Sequence, residues 1–413
     1  MLRFDSAGRS ASLEPRDAAF FQNPYPSYDA MRAAGPAFFW EQYGFWCFPG
    51  HAEVSELLRD RRFGRQILHV ASRDALGWSE PAAHLRPFHE LERHSLLSLE
   101  PPEHTRLRSL VSRAFVSRQV ERLGPRIAAL AQERIDAFEP NGEVELLDAF
   151  ANPIPVIVIA ELLGVPAEAW RQLLDWSHRM VAMYQFGPTR AVEDAAAAAS
   201  AAFADFLRGQ IAAKRRAPGD DLISALIAAE ANGGKLDEAE MVSTCALLLN
   251  AGHEATVHSL GNGVKALLEN PSAIAALLDP ARCAVAVEEL LRFDPPLHMF
   301  TRYVLEDLDY AGLRLKMGDQ VGLLLGAANR DPRRFDDPGK LDVSRTSNPH
   351  VSFGAGIHFC LGAPLARLEM QIALPVLFRR LPNLRLAAPP RYRDAYHFHG
   401  LERLDLRWDA ASR

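Results

Sequence analysis

Cysteine is scarce in this chain and never closely spaced: Cys47, Cys245, Cys283 and Cys360 lie far apart, with no CxxC pair. That excludes a disulfide framework and points to a reducing compartment. Lysine is nearly as rare, since 41 of the 46 basic residues are Arg, and the net charge of -6 argues against a nucleic-acid binder. A local basic patch remains compatible with docking an acidic protein. No apolar run approaches the roughly 18 to 20 residues of a membrane-spanning helix. Ile154 to Ala160 and Ala246 to Leu249 fall well short. The N-terminus, Met1-Leu2-Arg3-Phe4-Asp5, has no secretory apolar segment, so a soluble, cytoplasmic protein with no membrane contact is expected. Internal repeats and Pro/Gly/Ser-rich linkers are also missing across the 413 residues, although length alone allows two or three domains.

What is present favours a helical protein with a sizeable core. Apolar residues make up 48% of the chain, and Ala, Leu, Arg and Glu are strong helix formers. Periodicity predicts helices over Thr105 to Phe115, Gln119 to Phe138, Pro155 to Leu163, Ala167 to Tyr184, Ala191 to Arg216 and Asp220 to Glu230. A long helix is predicted from Asp237 to Leu268, ended by Asn270-Pro271, and another from Ala281 to Phe293, ended by Pro295-Pro296. Short strands are expected early, over Phe38 to Phe48, and again in pieces over Tyr303 to Leu325.

The most informative segment is Phe353-Gly354-Ala355-Gly356-Ile357-His358-Phe359-Cys360-Leu361-Gly362. Gly354 and Gly356 permit backbone turns that side chains obstruct, and Ala363 to Glu369 has helical character with Pro364 in the first turn. The sulfur of Cys360 is therefore expected at a helix N-terminus, where the dipole and unpaired N–H groups favour thiolate. A lone Cys among glycines is ordinarily a buried structural thiol. A lone thiolate so placed suits an axial haem ligand.

With Phe353, Gly356, Cys360 and Gly362, the segment resembles the ligand loop Phe-x-x-Gly-x-x-x-Cys-x-Gly of the cytochrome P450 haem-thiolate monooxygenases. The resemblance implies the cytochrome P450 fold, mainly α with small β-sheets. It also implies one domain over residues 1–413 with no fused reductase, haem b (iron protoporphyrin IX) as cofactor, and Cys360 as the ligand to the haem iron. Phe353, Gly354 and Gly362 shape the loop, as do their counterparts in the family. The spacing of Glu289-x-x-Arg292 puts acid and guanidinium on one helix face. Phe335-x-x-Pro338-x-x-Leu341-Asp342-x-x-Arg345 resembles the family segment that brings a second Arg to that pair, which holds the Cys loop.

Haem propionates need cationic or hydrogen-bonding partners. By resemblance these are His104 and Arg108, one turn apart, with Arg302 and His358. Asn250-Ala251-Gly252-His253-Glu254-Ala255-Thr256 resembles the family's oxygen-activating segment. There Ala251 and Gly252 would allow backbone to approach haem and leave room for dioxygen, and Glu254 would relay protons. Ala255 departs from the pattern, since a Thr hydroxyl usually stands there. Thr256 is one step of about 100° further round, so its hydroxyl is expected to point elsewhere. Ordered water or a polar group of the substrate would then supply the missing hydrogen bond. His253-Glu254-x-x-x-His258 has one residue too many for the zinc-protease pattern and places its two His about 140° apart. Gly354-x-Gly356 is too short for a dinucleotide loop.

The resemblance places the substrate among Ile67 to Leu97, Met180 to Phe186, Leu247, Asn250, Ala251, Leu297, His298, Phe300 and His397 to Gly400. Asn250, His298, His397 and His399 are the polar members that would orient it. Electrons are expected from ferredoxin and ferredoxin reductase, with Arg106, Arg113, Arg118 and Arg122 as a candidate dock. The expected activity is oxidation of a small to medium organic molecule with dioxygen. The alternatives left open by Ala255 are a peroxide-using or atypical oxidation on the same fold; a non-catalytic haem sensor or carrier is the rival from another class.

Overall fold

The architecture comes from a computed structural model, which describes residues 2–5, 9–114, 120–231 and 236–409. The described chain divides into two compact units, one formed by 1–67, 128–151 and 255–413 and the other by 68–127 and 152–254. No helix among the described residues is long and apolar enough to cross a membrane.

The first unit is built on a seven-stranded sheet. Its centre pairs Gln320–Leu323 in parallel with Phe45–Phe48 and antiparallel with Phe300–Val304, so that Arg302 lies opposite Val321. Phe38–Trp40 extends the sheet beyond Phe45–Phe48. The alternation of side chains across these strands gives one face to a core of Leu57, Leu58, Val304, Val321, Val351 and Ala355. Two members of that core, Val351 and Ala355, belong to the segment entering the Cys360 loop, so the sheet anchors the loop through apolar contact. Helix Cys283–Phe293 and helix Ala363–Arg380 pack in the same unit. A smaller sheet joins Glu143–Glu145, Asp405–Arg407 and Arg385–Leu386.

The second unit is helical. Helix Pro153–Leu163 buries almost every side chain, which is why its apolar run reads like a short span in sequence. Helix Trp170–Val181 packs against helix Arg190–Arg216. Helix Glu238–Glu269 runs unbroken through 32 residues, contributing its first half to this unit and its second half to the other.

Most boundaries differ from the sequence expectation at the ends. The predicted helix Ala167 to Tyr184 is three pieces, with 3₁₀ turns at Ala167–Ala169 and Ala182–Tyr184 flanking Trp170–Val181. The helix expected from Ala281 starts at Cys283, because Asp279 takes the backbone N–H of Ala281 and supplies the carbonyl for that of Cys283. The helix expected from Gln119 is helical at 120–121, broken by a turn at 122–123, and resumes at Gly124, where Pro125 falls in the first turn and needs no N–H partner. Gln119 and Phe115 lie outside the described residues.

Candidate active site

Cys360 lies three residues before the start of helix Ala363–Arg380, whose N-cap is Gly362 and whose first turn holds Pro364. Its backbone N–H donates to Phe353 O at 2.9 Å, closing the loop on itself. Gly354 and Gly356 take φ of +67° and +69°, and a Cβ on Gly356 would stand 2.5 Å from Leu58 O. A side chain there is excluded by both strain and space. Cys360 is half-buried, whereas Cys47, Cys245 and Cys283 are buried. Burial pushes the Cys47 thiol well up and that of Cys245 up to about 12. Those two are inert core thiols, and Cys283, though it opens a helix, is also pushed up by burial; Cys360 combines a nearby helix terminus with partial exposure.

A polar clamp holds the loop from beneath. Glu289 and Arg292 are fully buried and joined by bonds of 2.7 and 2.8 Å, and Arg345 Nε lies 3.3 Å from Glu289. Arg292 also donates to the carbonyls of Asn329, Pro338 and Lys340. Asn329 passes the restraint on: its Oδ1 accepts from Val351 N at 2.8 Å, and its Nδ2 donates to Ser352 Oγ at 2.7 Å. On the far side, Arg367 of the helix after Cys360 makes bonds of 2.6 and 2.8 Å to Glu288 and stacks its guanidinium 4.5 Å from the centre of the Phe353 ring. Burial alone raises the Glu288 carboxyl, but the Arg367 and His350 hydrogen bonds outweigh it and hold it down to about 2.

Arg302 is buried, donates to Thr301 O at 2.8 Å and lies 5.9 Å over the Phe300 ring. The edge of that ring is 3.3 Å from where a Cβ on Gly354 would be, so Phe300 and Arg302 share the neighbourhood of the ligand loop. Arg65, which sequence reasoning missed, also donates to Thr301 O and covers Phe300. His358 is half-buried in the turn Gly356–His358. In the other unit, His104 is buried and Arg108 half-buried on helix Glu103–Ala114.

Along helix Glu238–Glu269 one stripe differs from its surroundings. Leu247, Ala251 and Ala255, each four residues apart, are less covered than the buried residues around them, so one face of this helix looks onto open space. Thr256 is buried on another face. Ala255 O accepts a hydrogen bond from Ser259 Oγ at 2.9 Å. A Cβ on Gly252 would stand 2.8 Å from Ile159 Cγ1. Its missing side chain lets helix Pro153–Leu163 pack closely, with Ile159 beside it. Glu254 is buried with Oε2 3.4 Å from His178 Nε2 and 3.6 Å from His253 Nε2. His178 carried no signal in sequence, because it comes from helix Trp170–Val181, more than seventy residues upstream.

The expected substrate residues separate into two groups. Asn250 is buried with Nδ2 3.6 Å from Met180 sulfur, and its Oδ1 has no hydrogen-bond partner among the described residues. Leu297 and Phe300 are half-buried, the former bridging to Phe398. His298 and His399 instead sit inside a buried polar cluster. His298 Nδ1 bonds Tyr28 Oη at 2.7 Å, His399 stacks on Tyr392 and faces Asp294 at 3.4 Å, and the two rings lie 4.2 Å apart. Burial keeps His298 well below its ordinary range, hence neutral.

Within the first unit the donor set fits a haem: a half-buried Cys360 just before a helix N-terminus and a buried Arg302 suited to a carboxylate. Fold and site define a haem-thiolate protein. A cytochrome P450 family model matches residues 284–385. The chain is 40% identical to cytochrome P450 107B1 of Saccharopolyspora erythraea, over 97% of this chain and 99% of that one. It is 36% identical to cytochrome P450 monooxygenase PikC of Streptomyces venezuelae, over 94% and 92% of the two chains. The crystal structure of P450BioI in complex with a hexadec-9Z-enoic acid ligated acyl carrier protein matches with a TM-score of 0.88 and 36% identity, covering 95% of this chain and 100% of that one. The chain belongs to the cytochrome P450 family, whose cofactor is haem b, and it is a cytochrome P450 monooxygenase of the bacterial type.

Proposed function

We propose that this P450 oxidises a small to medium, largely apolar organic substrate with dioxygen and two electrons from a ferredoxin and ferredoxin reductase, in the cytoplasm. The observation that carries the reading is the open stripe of Leu247, Ala251 and Ala255 directly beside the buried Glu254. When bound, the haem supplies the iron centre at which dioxygen is reduced and one of its atoms enters the substrate. Cys360 Sγ would ligate the haem iron, its charge supported by the nearby helix terminus and its position by the Glu289–Arg292–Asn329 clamp. His104, Arg108, Arg302 and His358 would hold the propionates. Leu247, Ala251, Leu297 and Phe300 exclude water from the substrate, and Asn250 Oδ1 offers it one hydrogen-bond acceptor. Glu254 Oε2 holds the proton delivered to the reaction, with Gly252 allowing the close helix packing around it.

Electron entry is assigned to the face of the Cys360 loop. An open groove of about 790 Å³ there is lined by His51, Arg59, Arg334, His350 and the exposed Phe359, with Glu56 as its acid. Cations around an exposed ring suit a small acidic iron-sulfur protein. Arg106, one of the residues expected in such a dock, is already paired with Glu240. The side chain of Arg113 and all of Arg118 lie outside the described residues, and Arg122 is exposed.

A second reading is favoured by Ala255, which brings no hydroxyl to the stripe: oxidation driven by peroxide. The test is turnover of one substrate, found by its optical shift on binding, with the ferredoxin system, with peroxide alone, and with neither. Product with ferredoxin and reductant, falling about 100-fold in Glu254→Gln, supports the proposal. Product with peroxide alone transfers it to the second reading, and ligand binding without product leaves a carrier. In the reduced, carbon-monoxide-treated protein, Cys360→Ser is expected to abolish the red-shifted thiolate band.

A further inference from the structure

Two histidines and a carboxylate converge beside the open stripe. His178 Nε2 and His253 Nε2 lie 3.4 and 3.6 Å from the same atom, Glu254 Oε2, and all three ligand atoms are within 4.8 Å of one another. Good N–H···O contacts are about 2.7–3.2 Å long, so both separations are too great for strong hydrogen bonds. Two of the three separations are instead close to the edge of a tetrahedral site. Atoms about 2.0–2.1 Å from a zinc ion at tetrahedral angles stand about 3.4 Å apart. The edges of an octahedron of about the same radius are shorter, about 3.0 Å, which disfavours magnesium.

The ring chemistry agrees. His253 Nδ1 lies 2.6 Å from Leu249 O, and a carbonyl only accepts, so Nδ1 carries a proton and Nε2 is the atom of the neutral ring that would serve as a ligand beside Glu254. A backbone carbonyl fixing the tautomer in this way is the usual outer support of a metal-bound histidine. His253 and Glu254 are buried, while the His178 side chain keeps 39% of its exposure, which gives an ion a route in and the ring freedom to close the third edge. The buried Asp294, His298 and His399 group lacks these features. Asp294 already accepts from Tyr25 and Tyr392, and His298 is held by Tyr28.

We propose that His178, His253 and Glu254 form a site for a tetrahedral, zinc-type divalent cation, with a fourth position open to water. Two neutral imidazoles and one carboxylate give the set a single negative charge, suited to a borderline-soft dication. An ion there takes the carboxylate of Glu254, so its effect on turnover rests on the proton role proposed above, whereas its binding does not.

The test is calorimetric titration of tag-free, haem-loaded protein with Zn²⁺, with Mg²⁺ as the comparison ion, in the native protein and in His178→Gln and His253→Gln. One saturable Zn²⁺ site per chain, insensitive to Mg²⁺ and weakened at least about tenfold in each variant while the haem spectrum is unchanged, supports the proposal. Absence of a saturable site, or native affinity in both variants, overturns it. Product formed per reduced cofactor is measured alongside. Zinc binding that depends on both histidines but leaves this ratio untouched keeps the site and removes the proton role from Glu254.

Discussion

Asn329 joins the Cys360 loop to the buried ion pair through its amide: Nδ2 donates to Ser352 Oγ at 2.7 Å, Oδ1 accepts from Val351 N at 2.8 Å, and its own carbonyl accepts from Arg292. The residue is fully buried. Asn329→Leu keeps the branched shape but strands Val351 N and the Ser352 hydroxyl. The expected loss is about 1–3 kcal/mol of stability, together with faster loss of the thiolate band on mild heating. Denaturant midpoints and the spectrum of the reduced, carbon-monoxide-treated protein measure both. An unchanged spectrum after the stability loss would show that the loop does not depend on this link.

The Glu288–Arg367 pair gives an acid-side pH dependence. The folded carboxyl is held down to about 2 against an ordinary value of 4.5, so its contribution is fully present above about 4.5 and is lost as pH falls toward 2. Glu288→Gln is therefore expected to be less stable than the native protein at neutral pH, with the gap narrowing below pH 4.5. Urea midpoints at a neutral and an acid pH decide it; a gap of constant size contradicts the assignment.

Gly252 and Ile159 are coupled by space. An exposed helical Gly→Ala change gains about 1 kcal/mol, but here the new methyl meets Ile159 and overpacking costs about 1–3 kcal/mol. Gly252→Ala is expected to destabilise, and Ile159→Ala to relieve it, so the double variant loses less than the two singles combined. Simple additivity would place the constraint elsewhere.

Ala255→Thr tests how oxygen activation proceeds without the usual hydroxyl. If the substrate supplies the missing hydrogen bond, the native enzyme forms product in good yield per reduced cofactor with its best substrate, and the added Thr changes that yield by less than about twofold. Poor coupling of the native enzyme with every substrate, corrected by the Thr variant, contradicts substrate assistance.

Much of this site was legible locally. The ten residues from Phe353 to Gly362 carry a turn chemistry that admits little else, because only glycine fits at φ of +69° against Leu58 O. The i, i+3 spacing of Glu289 and Arg292 likewise needed no tertiary information. Asn329, Ser352 and Arg65 were not legible. Single polar residues in loops and strands have no period, and nothing in their neighbours marks what they will face.

The sequence by itself determined most of the elements and singled out the candidate ligand: helix propensity and periodicity act over a few residues, and the turn glycines before Cys360 are a local signal. Tertiary structure alone decided what surrounds them. It set Ile159 in the space beside Gly252, drew His298 and His399 into a cluster with Asp294, and brought His178 to Glu254. Each of these joins residues far apart in the chain, and such contacts are fixed by the packing of whole helices, for which no local pattern is written.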